Sequence, residues 1–368
     1  MRRILLPALF LIAAISLYAK TPYNEAMNQA HRPQGLMFVA MGESGAAIPS
    51  RDKSFFVNAS FLGLYDSFSI TIPTADLSLY QARDILSSPI GNIFKGDIDA
   101  ILSTLSNLNG TFPLVLANQG INTIFKHFAL AFDIRESIYS TGQSFASGFI
   151  PSLQTTLTIG YGKYLEVNDT FDIAFGMAEH ISGVFHSSEI SAESLAELLK
   201  GDGSALSFST SSWSFSTDAA LSFLLENGLS FAICLNGISN GINYMNMTTG
   251  VSFHNYSHPN ITLASAWSRN LTKSINLALA YDLVDIIGML SHPSFENFLY
   301  HSNMGASFSI HDILRLAAGL NGGYPSFALE LEFFFMRLGI LYRYQEFGSK
   351  VGINPKDQLT LSLSLAFH

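Results

Sequence analysis

Residues able to do chemistry are sparse in this chain. "GESG" at 42–45 sets Ser44 between glycines but lacks the Gly-x-Ser-x-Gly spacing of a nucleophile elbow. Its surroundings do not read as strand, turn and helix, so it reads as a glycine turn. His254 and His258 in "HNYSH" stand four apart, as two metal ligands on one helical face would. The Asn, Tyr, Ser and Pro259 beside them read as a loop instead. The single cysteine, Cys234, excludes an intrachain disulfide and has no adjacent cation to activate it. Four charges near the C-terminal end remain: Arg315, Glu330, Glu332 and Arg343. Their types suit ion pairing across neighbouring strands, or capture of a carboxylate by an arginine. No catalytic residue, metal site or cofactor is expected.

These charges must be positioned by strands. The chain ends on "QLTLSLSLAFH", in which Leu359, Leu361, Leu363, Leu365 and Phe367 alternate with Gln358, Thr360, Ser362, Ser364 and Ala366. Such a run is a two-faced β-strand. The pattern recurs in "SINLALAYDL", where Ile275, Leu277, Leu279 and Tyr281 oppose Asn276, Ala278, Ala280 and Asp282. It returns from Phe128 to Ile134, Leu153 to Tyr161, Phe171 to Met177 and Leu229 to Leu235. It continues from Ile261 to Trp267, Met304 to Ile310, Leu314 to Leu320, Phe327 to Phe333 and Leu338 to Tyr344. With less regular stretches at 68–72, 206–217 and 220–225, this gives roughly 14 strands of about 7 to 11 residues. A tilted strand crossing hydrocarbon needs about 9 to 11.

An export leader precedes them: Arg2 and Arg3, an apolar run from Ile4 to Leu17, then Ala19. The expected leader is 1–19. No later apolar run is long enough for a transmembrane helix. Hydrophobic residues make up 48% of the chain and charged residues 13%, about half the usual share. A soluble exported β-sandwich, the competing architecture, needs more charge on its outer face. Here the non-apolar parity carries Gly, Ala, Ser, Thr and Asn, as a crowded, wet lumen would. Without Arg2 and Arg3, 17 basic residues stand against 28 acidic ones, a net charge of −11, so nucleic acid is excluded as a partner. The expected fold is all-β: a transmembrane antiparallel barrel of about 14 strands whose last strand pairs with its first.

Three segments break the strand pattern. Residues 20–60 contain Gly35, Gly42 and Gly45, spaced for tight backbone packing, and are expected to form a hatch inside the lumen. Gly42, Ser44, Gly45 and Asn58 are its candidate ligand-binding or gating residues. "DIDAILSTLSNL" at 97–108 and "SAESLAELLKG" at 191–201 read as helices. Residues 61–368 are then the barrel, with helical insertions near 76–108 and 188–201.

The opening "AMGESGAAIPSRDKSFFVNASFLG", with Asn58 next to Ala59, resembles the N-terminal hatch of FadL-type outer-membrane proteins. The ending, with its "AGLNGGYP" turn and "YRYQEFG" strand end, resembles PorV-like and spirochaete FadL-like (UPF0164-type) proteins. That resemblance implies a 14-stranded barrel in the cell outer membrane that passes long-chain fatty acids or other hydrophobic molecules. The PorV-like alternative assists secretion or surface attachment of other proteins. The partners implied are outer-membrane lipid, a hydrophobic small molecule and the outer-membrane assembly machinery, with the barrel a monomer.

Strand parity makes further expectations. Leu277, Leu279, Leu361, Leu363 and Leu365 face lipid, while Asn276, Ala278, Ser362 and Ser364 face inward. Cys234 fills space in the lumen. Trp213 and Trp267 join an interfacial girdle. If Leu320 pairs with Phe327 across "NGGYPS", Arg315 lies opposite Glu332. A link at Phe335 and Met336 then sets Glu330 diagonal to Arg343.

Overall fold

The computed structural model describes residues 34–49, 54–87, 112–141, 148–191, 193–195, 207–238, 241–247, 249–256, 259–311, 313–347 and 352–367. Sixteen strands follow one another in these segments. They are β1 (Phe68–Tyr80), β2 (Phe112–Phe125), β3 (Phe128–Ser140), β4 (Phe149–Glu166), β5 (Phe171–Ser187) and β6 (Phe208–Leu225). Then come β7 (Leu229–Asn236), β8 (Gly241–Asn246), β9 (Ser252–Tyr256), β10 (Asn260–Thr272) and β11 (Ile275–Leu283). The last are β12 (Ser302–Ile310), β13 (Leu314–Asn321), β14 (Tyr324–Phe333), β15 (Met336–Glu346) and β16 (Pro355–Phe367). Short helices α1 (Leu36–Ala40), α2 (Ala82–Ser87), α3 (Ile286–Ser291) and α4 (Phe295–Tyr300) accompany them, with 3-10 turns at Ser54–Phe56 and Ala59–Leu64.

All strand pairs are antiparallel, and the sheet closes on itself. β16 pairs with β1, from Ile70 opposite Phe367 to Tyr80 opposite Gln358. β5 pairs with β6 along its full length. The closed ring holds 14 strands, and β8 and β9 form a hairpin outside it that extends the wall along the first half of β6. A soluble β-sandwich is thereby overturned. The expected count of 14 is met by two offsetting differences. Residues 206–217 and 220–225, read as two strands, are one continuous β6. The sequence does not show β2, because its inward positions Leu114 and Leu116 are apolar and hide the alternation.

The parity rule holds on the outer face. Leu279 is 45% exposed, Leu361 51% and Phe327 56%, while Ala278, Ala280, Ala328 and Thr360 beside them are buried. A water-soluble surface does not carry a continuous belt of exposed Leu, Ile and Phe on every strand, whereas a bilayer requires one. Most short turns lie at one rim, together with both ends of the barrel, while the Gly322–Gly323 turn lies at the other. The opposite rim carries the long connections, including α3 and α4. Trp213 and Trp267 both sit on the outward parity. Trp213 is exposed and meets Phe185 edge-on at 6.3 Å between ring centres.

Two insertions differ from expectation. Residues 76–80 continue β1 instead of beginning a helical insertion, and α2 follows directly. The helix expected at 97–108 lies outside the described residues. Of the one expected at 191–201, residues 193–195 form a helical turn. "HNYSH" is not a loop at its start, since His254 lies within β9 and contacts Asn243 Oδ1 at 2.6 Å. A shared helical face with His258 is therefore excluded, and His258 lies outside the described residues.

Leu363 faces outward midway along β16, between Leu338 and Ala75. Leu363→Arg is expected to cost about 2–4 kcal/mol. Urea unfolding of the protein in lipid vesicles reads this as a lower midpoint, and an unchanged midpoint contradicts lipid contact there.

Candidate functional site

Inside the barrel, residues 36–49 and 54–64 form two halves that pack on opposite walls of the lumen. The first half is α1 and the turn after it. A Cβ on Gly319 of β13 would stand 2.2 Å from the Met41 carbonyl carbon, and one on Gly305 of β12 2.2 Å from the Met41 oxygen. Only glycine lets the segment's backbone touch the wall backbone there. The second half is the 3-10 turn Ala59–Leu64, which seats in the same way on the opposite wall. A Cβ on Gly176 of β5 would stand 2.3 Å from the Ala59 oxygen, and one on Gly162 of β4 2.6 Å from the Gly63 nitrogen. Around these seats the inward parity is alanine, including Ala220, Ala264, Ala280, Ala317 and Ala328 packed with Ala40, Met41 and Ala46. The small inward residues thus mark a lumen packed with chain at this level, where a wet lumen was expected.

The four candidate residues of this segment have definite places. Gly42 adopts φ +73°, and a Cβ on it would lie 2.3 Å from the Leu320 oxygen. Ser44 is buried and donates from Oγ to Met41 O at 2.6 Å, closing the turn. Gly45, with Ala46, donates its N–H to Asp282 Oδ2, both at 3.0 Å. Asn58 is the joint between the halves. Its Nδ2 donates to Ala46 O at 2.6 Å and to Ser222 Oγ of β6 at 2.9 Å, while its Oδ1 accepts from Ser60 N at 3.0 Å. Ser230 and Ser326 add wall contacts, donating to Ala47 O at 2.6 Å and Ala40 O at 2.8 Å. Cys234 is buried in this packing as a small filler.

Asp282 was read as inward but not singled out. It is buried, and its Oδ1 has no partner among the described residues. A carboxylate taken from water is costly unless hydrogen-bonded, and two backbone donors are what offset that cost. No side-chain pattern in the sequence announces a backbone partner.

The C-terminal charges are brought together, in a different register from the expected one. Gly322 and Gly323, at φ +55° and +89°, make a two-residue hairpin turn, the tightest available, so Asn321 pairs with Tyr324 and Leu320 with Pro325. Arg315 consequently stands opposite Glu330, not Glu332, though its two arms reach both, at 3.2 and 2.9 Å. The next turn is Phe334–Phe335, not Phe335–Met336, which places Glu332 opposite Arg337. Arg337 Nη2 donates to Glu332 Oε1 at 3.2 Å, and its Nε lies 3.0 Å from Oε2. Arg337 lies one residue before the alternating run from Leu338, but β15 begins at Met336, so it shares the inward parity of Gly339 and Arg343.

Arg343 is not diagonal to Glu330. It pairs with Ser326 in register and points its charge at the luminal segment. Nη1 donates to Glu43 Oε1 at 2.5 Å, Nε to Gln358 at 2.6 Å and Nη2 to Gln345 at 2.9 Å. Glu43 holds φ +58°, a conformation that disfavours any residue but glycine or asparagine. Its partner is what the strained backbone presents it to.

Between the luminal segment and the short-turn rim lies a cavity of about 580 Å³. Leu36, Phe38, Met41, Ile48 and Phe61 of the segment line one side. Arg315, Glu330, Glu332 and Arg337, with Asn and Ser of β10 to β12, line the other. On the long-loop side, Tyr80, Phe112, Leu114, Leu116, Phe149 and Leu195 form a separate buried apolar cluster. Among the described residues no cluster of His, Cys, Asp and Glu could hold a metal ion.

No protein-family model and no curated protein matches the chain. Among solved structures it is similar to the CymD monoaromatic hydrocarbon channel, at 11% identity and TM-score 0.47, over 91% of this chain and 97% of that one. It is similar at 11% identity to the Ralstonia pickettii toluene transporter TbuX, with TM-score 0.47 over 92% and 99% of the two chains. A Pseudomonas aeruginosa FadL homologue gives 11% identity and TM-score 0.45 over 92% and 99%. Likenesses this distant assign neither family nor cargo.

Two outcomes follow from the geometry. Asp282→Ala removes the acceptor for Gly45 and Ala46 and is expected to raise solute conductance in planar bilayers while the barrel keeps its folded gel mobility. Unchanged conductance would mean that Asp282 does not hold the segment. Glu332→Ala leaves Arg315 and Arg337 short of a shared partner. Its expected cost is about 2–3 kcal/mol, below the about 3–5 of a fully buried pair because Arg315 is 24% exposed. Chemical unfolding measures it, and no loss would show the cluster to be solvent-screened.

Proposed function

We propose that the protein is an outer-membrane channel for small hydrophobic molecules, exported through its 1–19 leader, with residues 36–49 and 54–64 as a luminal hatch. The observation that carries this reading is the two-sided cavity below the hatch. Its volume falls in the range of small-molecule sites, and its apolar side faces a charged one. An amphiphile such as a long-chain fatty acid fits that division. Its chain lies against Leu36, Phe38 and Ile48, and its carboxylate meets the guanidinium groups of Arg315 and Arg337. No covalent step is involved. Passage requires the segment to leave its seats, and Gly42, Gly45 and Asn58 act in that gating by holding the segment in place. Arg343 belongs to the gate through Glu43, not to the headgroup site. A PorV-like escort of other proteins needs no such cavity, so the cavity favours transport.

Binding of a fluorescent long-chain fatty acid to wild type and to Arg337→Gln tests the assignment. Affinity is expected to fall about tenfold, the loss of one charged hydrogen bond. Affinity for an uncharged alkane of the same length is expected to stay unchanged. Equal behaviour of both ligands leaves Arg337 a structural role only. Mass spectrometry of lipid retained by protein purified from its native membrane names the cargo, and an empty cavity in such protein argues against a hydrophobic ligand.

A further inference from the structure

The barrel wall has unequal height. β4, β5 and β6 have 18, 17 and 18 residues, whereas β11, β12 and β13, across the ring, have 9, 9 and 8. Nine residues rising ~3.3 Å each at a tilt of ~40° climb about 23 Å. The apolar band of such a barrel is about 25 Å tall. The long strands therefore stand well clear of the bilayer, while the short ones end at its edge.

The connection between β11 and β12 sits on that low rim. α3 starts three residues after Leu283, and α4 ends two residues before Ser302. No residue of either helix is buried. Phe295 is 74% exposed and Leu290 62%, with Phe298 and Leu299 also exposed. From Ile286 to Tyr300 the only acidic or basic side chain besides His292 is Glu296. The helices are nonetheless built rather than loose. Asp285 caps α3 by accepting from Gly288 N at 3.2 Å, and Ser294 caps α4 by accepting from Asn297 N at 3.1 Å. Asn297 Nδ2 then donates to Met289 O at 2.9 Å, tying the two helices together. Asp285 N donates to Asn260 Oδ1 at 2.9 Å, fixing the pair to β10.

We propose that α3 and α4 form an interfacial membrane-docking element, resting in the headgroup and upper acyl region beside β10 to β12. There they continue the lipid-facing belt where the strands are too short to complete it. The occupant is lipid because the exposed apolar surface begins at the height where the wall's own lipid-facing residues, such as Leu263 and Met304, leave off. Exposed Phe and Leu are the side chains that enter that boundary. A free aqueous loop with four exposed large apolar side chains would be an aggregation liability. This rests on the membrane-barrel reading, and the experiment separates the two.

Single tryptophans at Leu290→Trp and Phe295→Trp, in a Trp213→Phe and Trp267→Phe background, are reconstituted into phosphatidylcholine vesicles with chain-brominated lipid. Leu279→Trp serves as the lipid-facing reference. Val251→Trp, exposed beyond the tall β6 wall, serves as the aqueous one. The expected result is loss of fluorescence at 290 and 295 as large as at 279, with iodide quenching only at 251. Quenching of 290 and 295 by iodide and not by lipid places the helices in water and overturns the proposal. Quenching by neither, with blue-shifted emission, means that protein covers them and overturns it equally. If 279 itself escapes the lipid quencher, the membrane wall fails and the proposal falls with it. Spin labels attached at 290 and 295 give a second readout, with oxygen collisions expected to exceed those of a water-soluble nickel chelate.

Discussion

Every backbone N–H and C=O that enters hydrocarbon must find its partner within the protein. In a sheet that condition is met only by closure, and the pairing of β16 with β1 is where this chain meets it. The rest depends on that closure. It fixes an inside and an outside, so each strand must keep one parity for lipid and one for the lumen. It also sets a ring circumference, and hence a lumen wide enough to need filling.

The filling explains the composition of the inner face. Were the lumen a water channel, its lining would be polar and could be bulky. Instead the middle level is alanine and glycine, and at Gly176, Gly162, Gly319 and Gly305 wall backbone meets segment backbone directly. Side chains are retained where a hydrogen bond or charge is needed: Asp282 for two N–H groups, Ser222 for Asn58, Arg343 for Glu43. Where the wall meets the luminal segment, polarity is therefore placed by what the segment presents.

The barrel was legible because lipid enforces the outward parity on every strand, and the leucines of "LTLSLSL" obey it regardless of detail. The inner face follows no such single rule. β2 is hidden because Leu114 and Leu116 turn inward to an apolar cluster, and Arg337 because it lies at the start of β15, before the alternation begins. Inward charges at 315, 330, 332 and 343 could be listed from parity alone. Their partners could not, since register hangs on turn length, and a two-residue Gly322–Gly323 turn moves every pairing by two relative to a longer link. The role of Asp282 was illegible for another reason, because its partners are backbone groups more than 230 residues away in the chain.

The two halves of the luminal segment pack on opposite walls. α1 and its turn touch β11 to β15, and the 3-10 turn touches β4 to β6. Along the ring, β5 and β13 are six strands apart one way and eight the other, so these seats lie nearly across a diameter. Neither half reaches both walls by itself. Asn58 joins them, since one amide donates both to Ala46 of the first half and to Ser222 of the wall behind the second. Among the described residues, the contacts that bear charge, Glu43 with Arg343 and Asp282 with Gly45 and Ala46, belong to the first half. The second is held by close packing and neutral hydrogen bonds. Removing the charge of Glu43 or Asp282 therefore acts on the first half, and the Asn58 amide is the link that ties that half to the wall behind the second.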